Sequence, residues 1–236
     1  MTDQGASIGE AGLFDRGDEY AQILNQGLKL TGESRDFYLR GRLDLLLAMV
    51  PPPFSPTEIL DFGCGTGETT VALARAYPKA RVTGVDTAEG AIEFARRTHA
   101  ELRVSFVAEL DRIAEDRFDL CYVNGVFHHV PPTERPRALA WIHSRMRANG
   151  RLALFENNPW NPGTRLVMRR ISFDRDAQTL SPPQTRLMLE AAGFRVETPT
   201  VHIFFFPAGL RAFRRFEPLL RRVPLGGQYL VLGRRE

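Results

Sequence analysis

The sequence predicts an α/β protein, a single domain built on a mostly parallel sheet with helices on both faces. Between residues 57 and 157, short apolar runs alternate with amphipathic helical stretches, the rhythm of repeated strand–helix–strand crossovers. The strand-like runs are apolar almost throughout, as strands covered on both sides must be. The 236 residues, 43% of them apolar, are enough for one domain with a substantial core.

Residues 1–12 carry Gly and Ser without periodicity and read as a flexible tail. From 14 to 30, Tyr20, Ile23, Leu24 and Leu28 recur at helical spacing. The capping residues of "TGES" at 31–34 interrupt, and a second helix at 34–49 carries Phe37, Leu43, Leu46 and Leu47. "VPPPFSP" at 50–56 stops it, so 13–56 forms an N-terminal helical unit. In the core, 57–157, strand "EILDFG" precedes helix "GETTVALARAYP", and strand "RVTGVD" precedes helix "AEGAIEFARRT". Strand "RVSFVAE", the run "FDLCYVNGVFHHV", helix "PRALAWIHSRMRANG" and strand "RLALFEN" complete it. Beyond 157 come a turn-rich "NPWNPG", a short helix and loop, and a helix at 181–193, capped by Ser181 and ended by Gly193. A strand "FRVETPTVHIFFF", an inserted amphipathic helix at 208–222 and a last strand "QYLVLGRR" follow.

Chemistry concentrates in residues 58–96. Gly63, Gly65 and Gly67 follow a strand and open a helix, so a ligand can lie against backbone N–H groups there. A dinucleotide fingerprint, G-x-G-x-x-G, would place its third glycine one residue later, where Glu68 stands. Glu68 and the preceding Asp61 would repel a pyrophosphate but suit a ligand with a cationic amino group. Asp86 ends the next strand about 20 residues on, where a carboxylate can accept from both hydroxyls of a ribose. S-adenosylmethionine has the matching parts: an ammonium, a sulfonium, a ribose diol and no phosphate.

"ILDFGCGTG" with "GVD" resembles the class I S-adenosylmethionine-dependent methyltransferases, especially their small-molecule, type 11-like group. "FDRGDEYAQIL" is similar to that group's N-terminal lid helix, and the likeness runs through "RFDLCYVNGVFHHV", "MRANGRLALFE" and "LSPPQTRLMLEAAGF". It implies a Rossmann-like, seven-stranded sheet with an antiparallel last strand. It also implies S-adenosylmethionine as cofactor, held by Asp61, Gly63, Cys64, Gly65 and Gly67 of the first loop. Asp86 and Thr87 follow the second strand, Glu109 and Leu110 the third, and Asn124 and Gly125 the fourth. Where the family commonly ends its third strand in Asp, this chain reads Ala108–Glu109. Glu is one methylene longer and can accept the same hydrogen bond.

The acceptor should sit beyond the carboxyl ends of the strands. His128 and His129 are the candidate catalytic bases there. Adjacent residues of extended chain point opposite ways, so one of the two at most is expected to face the substrate. Tyr20 of the lid, Phe127, and Asn157, Asn158 and Trp160 after the fifth strand are candidate acceptor contacts. "NNPW" is like the Asn-Pro-Pro-aromatic motif of amino-group methyltransferases, but it follows the fifth strand rather than the fourth. No further ligand cluster accompanies the histidine pair, so no metal is expected.

Two cysteines, Cys64 and Cys121, cannot build a disulfide framework, and the polar N-terminus is unlike a secretory signal. No apolar run approaches the roughly 20 residues of a membrane span. A cytoplasmic protein, monomer or homodimer, is expected. Net charge is +3, with the basic excess late, around 165–170 and 211–222. No basic-aromatic groove or appended RNA-binding module is evident, so no nucleic-acid partner is expected. The function expected is methylation of a small-molecule acceptor, most plausibly at oxygen. The alternatives are a nucleic-acid or lipid methyltransferase, or a nucleotide-binding protein of the same fold without that activity.

Overall fold

The computed structural model describes residues 31–236 except 101–102, 172–173, 175–176 and 198. The tail, the first lid helix and Tyr20 lie outside the described residues.

Helix α1, Arg35–Met49, begins where the Ser34 side chain accepts from the Phe37 N–H, and it buries Leu43, Leu45 and Leu46. Five parallel strands follow: β1 (Glu58–Phe62), β2 (Arg81–Val85), β3 (Val104–Val107), β4 (Phe118–Asn124) and β5 (Met146–Asn157). Helices α2 (Glu68–Ala76), α3 (Glu89–Thr98) and α4 (Arg135–Arg145) connect them. The sheet order is β3-β2-β1-β4-β5, so the chain runs outward from β1 on one side and returns to start the other half at β4. That reversal opens a crevice at the carboxyl ends of β1 and β4.

Alternation within each strand explains why the strands read as continuously apolar. Leu60, Cys121, Val123, Leu152 and Leu154 join one buried cluster. Their neighbours Ile59, Leu120, Tyr122, Ala153 and Phe155 join a second cluster on the opposite face. Helices cover both faces, so both sets of side chains must be apolar.

Beyond β5 lie α5 (Pro162–Met168), α6 (Pro182–Ala191), β6 (Phe194–Val196), β7 (Val201–Ile203) and β8 (Gln228–Arg235). β8 runs antiparallel to β5, as expected. The sheet has eight strands rather than seven, because the run expected as one sixth strand is two. β6 pairs with Val196↔Gly233 and its neighbours, and β7 with Val201↔Leu230 and its neighbours, both antiparallel to β8. Between them the chain carries Pro199, which lacks the N–H a ladder needs.

The inserted segment Ala208–Leu220 is a kinked 3₁₀ helix, not an α-helix. Pro218 inside it cannot donate to the preceding turn, and Leu210 leaves helical geometry. Its stripe of Leu210, Phe213, Phe216 and Leu219 is exposed. Arg214 faces the other way, onto α1. Its guanidinium lies 4.3 Å over the Phe37 ring, pairs with Glu33, and donates to the Phe206 carbonyl at 2.9 and 3.0 Å.

Candidate functional site

The crevice holds a cavity of about 920 Å³ whose wall brings the glycine loop, the two histidines and the residues after β5 into one space. All three loop glycines have left-handed backbones, φ of 73°, 51° and 89° at Gly63, Gly65 and Gly67. They do different work. A Cβ on Gly63 would stand 2.3 Å from Val126, and one on Gly67 2.7 Å from Phe106, so these two permit close packing. A Cβ on Gly65, which lines the cavity, would meet nothing within 4 Å. Gly65 is therefore the position that keeps the backbone open to a ligand.

Asp61, next to last in β1, is 2% exposed and lies on the cavity wall. Burial raises its pKa to about 7, assisted by Asp86 and Glu68 and opposed by the Thr70 hydroxyl, which donates to Oδ2 at 2.7 Å. Asp86 accepts the Gly65 N–H at 2.8 Å and the Ala88 N–H at 3.0 Å. It thus fixes the glycine loop to the end of β2.

The sequence-predicted residues divide accordingly. Asp61, Gly63, Cys64, Gly65, Asn124, Gly125, His128, His129 and Asn157 line the cavity. Asp86 and exposed Thr87, and Glu109 and Leu110 beyond β3, lie at the same sheet edge but outside the cavity wall. Glu109 is exposed and pairs with Arg112 at 3.0 Å. Phe127 is wholly buried in the core and Asn158 is wholly buried as a structural clamp. The Asn158 amide donates to the Pro224 and Gly226 carbonyls, at 3.0 and 2.8 Å, fastening the loop to the start of β8. Trp160, 45% exposed, borders a separate shallow depression with Pro182 and His202.

Both histidines reach the cavity, because the chain here turns and is not extended. The His129 N–H donates to the Val126 carbonyl at 2.9 Å, closing a turn that carries both imidazoles to the same wall, ring centroids 4.2 Å apart. His128 is 3% exposed, and its Nδ1 is 2.6 Å from Oε2 of Glu156, a carboxylate wholly buried in β5. The other oxygen of Glu156 accepts the Phe127 N–H at 2.7 Å. Burial works against protonation of His128, but the charge of Glu156 and its contacts with Asp174 and Glu156 prevail and raise its pKa to about 10. Asp174 Oδ1 lies 3.5 Å from His128 Nε2 and 3.2 Å from His129 Nε2.

Sequence reasoning missed Glu156 and Asp174. A lone acid inside the apolar run "LALFEN" was a usable signal for Glu156. Asp174 had none, because only the fold carries it back to the histidines. Missed too were Tyr38 and Arg42 of α1 and Phe204–Phe206 after β7, which close the cavity opposite the strands.

These residues fit the S-adenosylmethionine that the resemblance implies. A buried carboxylate stands ready for an ammonium, the cradle at Gly65 is open, and Oδ1 of Asn124 is buried on the cavity wall without a hydrogen-bond partner among the described residues. No helix among the described residues is long and apolar enough to cross a membrane.

Residues 59–150 match the family described as "Methyltransferase domain". The fold is similar to an S-adenosylmethionine-dependent methyltransferase of Thermotoga maritima, described as a possible histamine N-methyltransferase. The TM-score is 0.67 at 18% identity, covering 97% of this chain and 100% of that one. A methyltransferase of Mesorhizobium loti aligns with a TM-score of 0.59 at 21% identity, over 83% of this chain and 98% of that one. Among curated relatives, trans-aconitate 2-methyltransferase of Enterobacter sp. (strain 638) is 29% identical over 119 residues, 50% of this chain and 46% of that protein. Malonyl-[acyl-carrier protein] O-methyltransferase of Priestia megaterium is 39% identical over 71 residues, 29% of this chain and 26% of that protein. The chain thus spans about half or less of the length of the curated relatives it matches. Family match and fold agree with the glycine loop: residues 59–150 match a methyltransferase domain, and the chain has the fold of S-adenosylmethionine-dependent methyltransferases.

Proposed function

We propose that this chain methylates an oxygen of a small-molecule acceptor. The observation that carries the reading is that one cavity is continuous from the Gly65 cradle and Asp61 to the paired histidines. Cofactor and acceptor would therefore share one space. S-adenosylmethionine, when bound, supplies a sulfonium methyl whose S–C bonding pair stays on sulfur as the acceptor oxygen forms the new C–O bond.

The chain's own part is binding, alignment and exclusion of water. Asp61 would hold the ammonium, Gly65 would let the backbone approach, and Asp86, at the same sheet edge, would serve the ribose while bracing the loop. Tyr38 and Phe204–Phe206 shield the opposite side. His128, His129 and Asp174 form the acceptor end, where the hydroxyl proton must leave. Arg42 and Arg170 on the wall would favour an acceptor with anionic character, Arg35 there being paired with Glu68 at 3.3 Å. The curated relatives named above point the same way, since trans-aconitate and a malonyl thioester both bear carboxylates.

The test is calorimetry of the full chain with S-adenosylmethionine and with NAD, followed by tritiated-methyl transfer to a panel of small carboxylates, phenols and amines. Binding of S-adenosylmethionine alone, with label in an oxygen acceptor, is expected. Binding of NAD in its place, or label entering only amines, would overturn the reading.

A further inference from the structure

We propose that His128, His129 and Asp174 form a binding site for a first-row divalent cation, of the zinc or iron class, at the acceptor end of the cavity. The inference deepens the methyl-transfer reading, but its geometry stands apart from it. His128 and His129 each present an imidazole nitrogen and Asp174 a carboxylate oxygen, and the three atoms all lie within 4.8 Å of one another. Bonds of about 2.0–2.1 Å at tetrahedral angles separate ligand atoms by about 3.3–3.4 Å. The two His–Asp separations, 3.2 and 3.5 Å, bracket that figure. Two imidazoles and one carboxylate suit zinc or ferrous iron rather than magnesium or calcium.

The surroundings are those of a built site. Metal-ligating histidines almost always give their second ring nitrogen to a carboxylate or carbonyl, which fixes the tautomer and the ring. Here Glu156 takes Nδ1 of His128 at 2.6 Å, so Nε2 is the atom turned toward Asp174. Glu156 in turn is anchored by the Phe127 N–H. Two carboxylates, one wholly buried and one 8% exposed, stand against two imidazoles, and a dication that displaces the imidazole protons would balance that pair of negative charges. All three ligands line the cavity, so the remaining coordination positions face the acceptor. A cation there would act as a Lewis acid on an acceptor hydroxyl, lowering its pKa so that the proton passes to water before transfer.

The experiment uses the full chain, stripped with a chelator and titrated with Co(II) while its visible ligand-field bands are recorded. Saturable one-to-one binding is expected. His129→Ala and Asp174→Asn should each weaken it at least tenfold, and Glu156→Gln by about 10–100-fold. Each variant is also titrated with S-adenosylmethionine, whose retained affinity shows that the variant is folded. No bands in the wild type, or equal affinity in His129→Ala and Asp174→Asn, would overturn the site, the histidines then being balanced by their own protons. Intact cobalt binding in a chain that binds no S-adenosylmethionine would instead overturn the methyltransferase reading and leave the cation site standing.

Discussion

Asp61 is a buried carboxylate with its pKa raised to about 7, chiefly by burial. Its ordinary value is 3.8, so between about pH 4 and 7 the unfolded chain has lost a proton that the folded chain keeps. The unfolded state then binds fewer protons, and stability falls as pH rises through that window and levels off above it. A bound ammonium reverses the preference by favouring the ionised form. Affinity for S-adenosylmethionine should therefore climb as pH passes about 7, with proton release on binding below it. Calorimetry at about pH 6 and pH 8, in buffers of different ionisation enthalpy, measures both effects. Asp61→Asn should flatten the profile and cost about 1.5–3 kcal/mol, the worth of a charge-assisted hydrogen bond. A pH-independent wild type would remove Asp61 from the ammonium site. At this scale, what the sequence disclosed was local. The glycines, Asp61 and Asp86 are read from spacing within one strand–helix–strand unit. Glu156 and Asp174 act through contacts across 28 and 46 positions from His128, which no window of sequence contains.

The elements were legible wherever one period governed them. The parallel strands and their helices follow from apolar runs and caps, since burial on both faces leaves no other pattern. The failures have local causes: Pro199 splits a strand, Pro218 withholds a donor from an α-helix, and a turn replaces extended chain at the histidines. Ends of elements were also opaque, and Asp119 shows why. It stands in β4, yet its Oδ2 accepts from the Thr57 N–H and hydroxyl, both at 2.8 Å, and from the Glu58 N–H at 3.0 Å, where β1 begins. Arg147 adds a bond to Oδ1 at 2.9 Å. Burial raises the pKa of Asp119, but these bonds outweigh it and hold the value below 3.8. The contribution is therefore fully present above about pH 4 and is lost as pH falls through the lowered folded-state value. Asp119→Ala should destabilise by about 2–3 kcal/mol, since it removes several bonds to one anion and strands two N–H groups. Urea unfolding at neutral pH checks this, and the difference from wild type should shrink in acid. An unchanged midpoint would show that solvent replaces these bonds without loss.

At the scale of the whole molecule, the strand ends of the sheet build the glycine-loop side of the cavity, and segments after β5 line its histidine side. The first of these is written in a contiguous stretch of sequence, the second in contacts between segments far apart. The 3₁₀ segment does not itself line the cavity; it braces Phe204–Phe206, which do. The Glu217 carboxylate accepts the Phe206 N–H at 2.9 Å, and Arg214 holds the Phe206 carbonyl while stacking on Phe37 and pairing with Glu33. Arg214 is thus a bolt between the two covers of the cavity, α1 and the run after β7. The glycine loop lies at the strand ends and meets α1 through the Arg35–Glu68 pair, at 3.3 Å, rather than through Arg214. Arg214→Ala should therefore leave S-adenosylmethionine affinity within a few-fold. Acceptor KM should rise about tenfold, the equivalent of about 1.4 kcal/mol for a half-buried charge-assisted bond and its stacking. Arg214→Lys, which keeps the charge but not the planar fork, should recover little of the loss. Equal rises in the dissociation constant of S-adenosylmethionine and in acceptor KM would mean that the bolt supports the fold as a whole. A change confined to the acceptor would make the 3₁₀ segment the part of the chain that sets what the cavity admits.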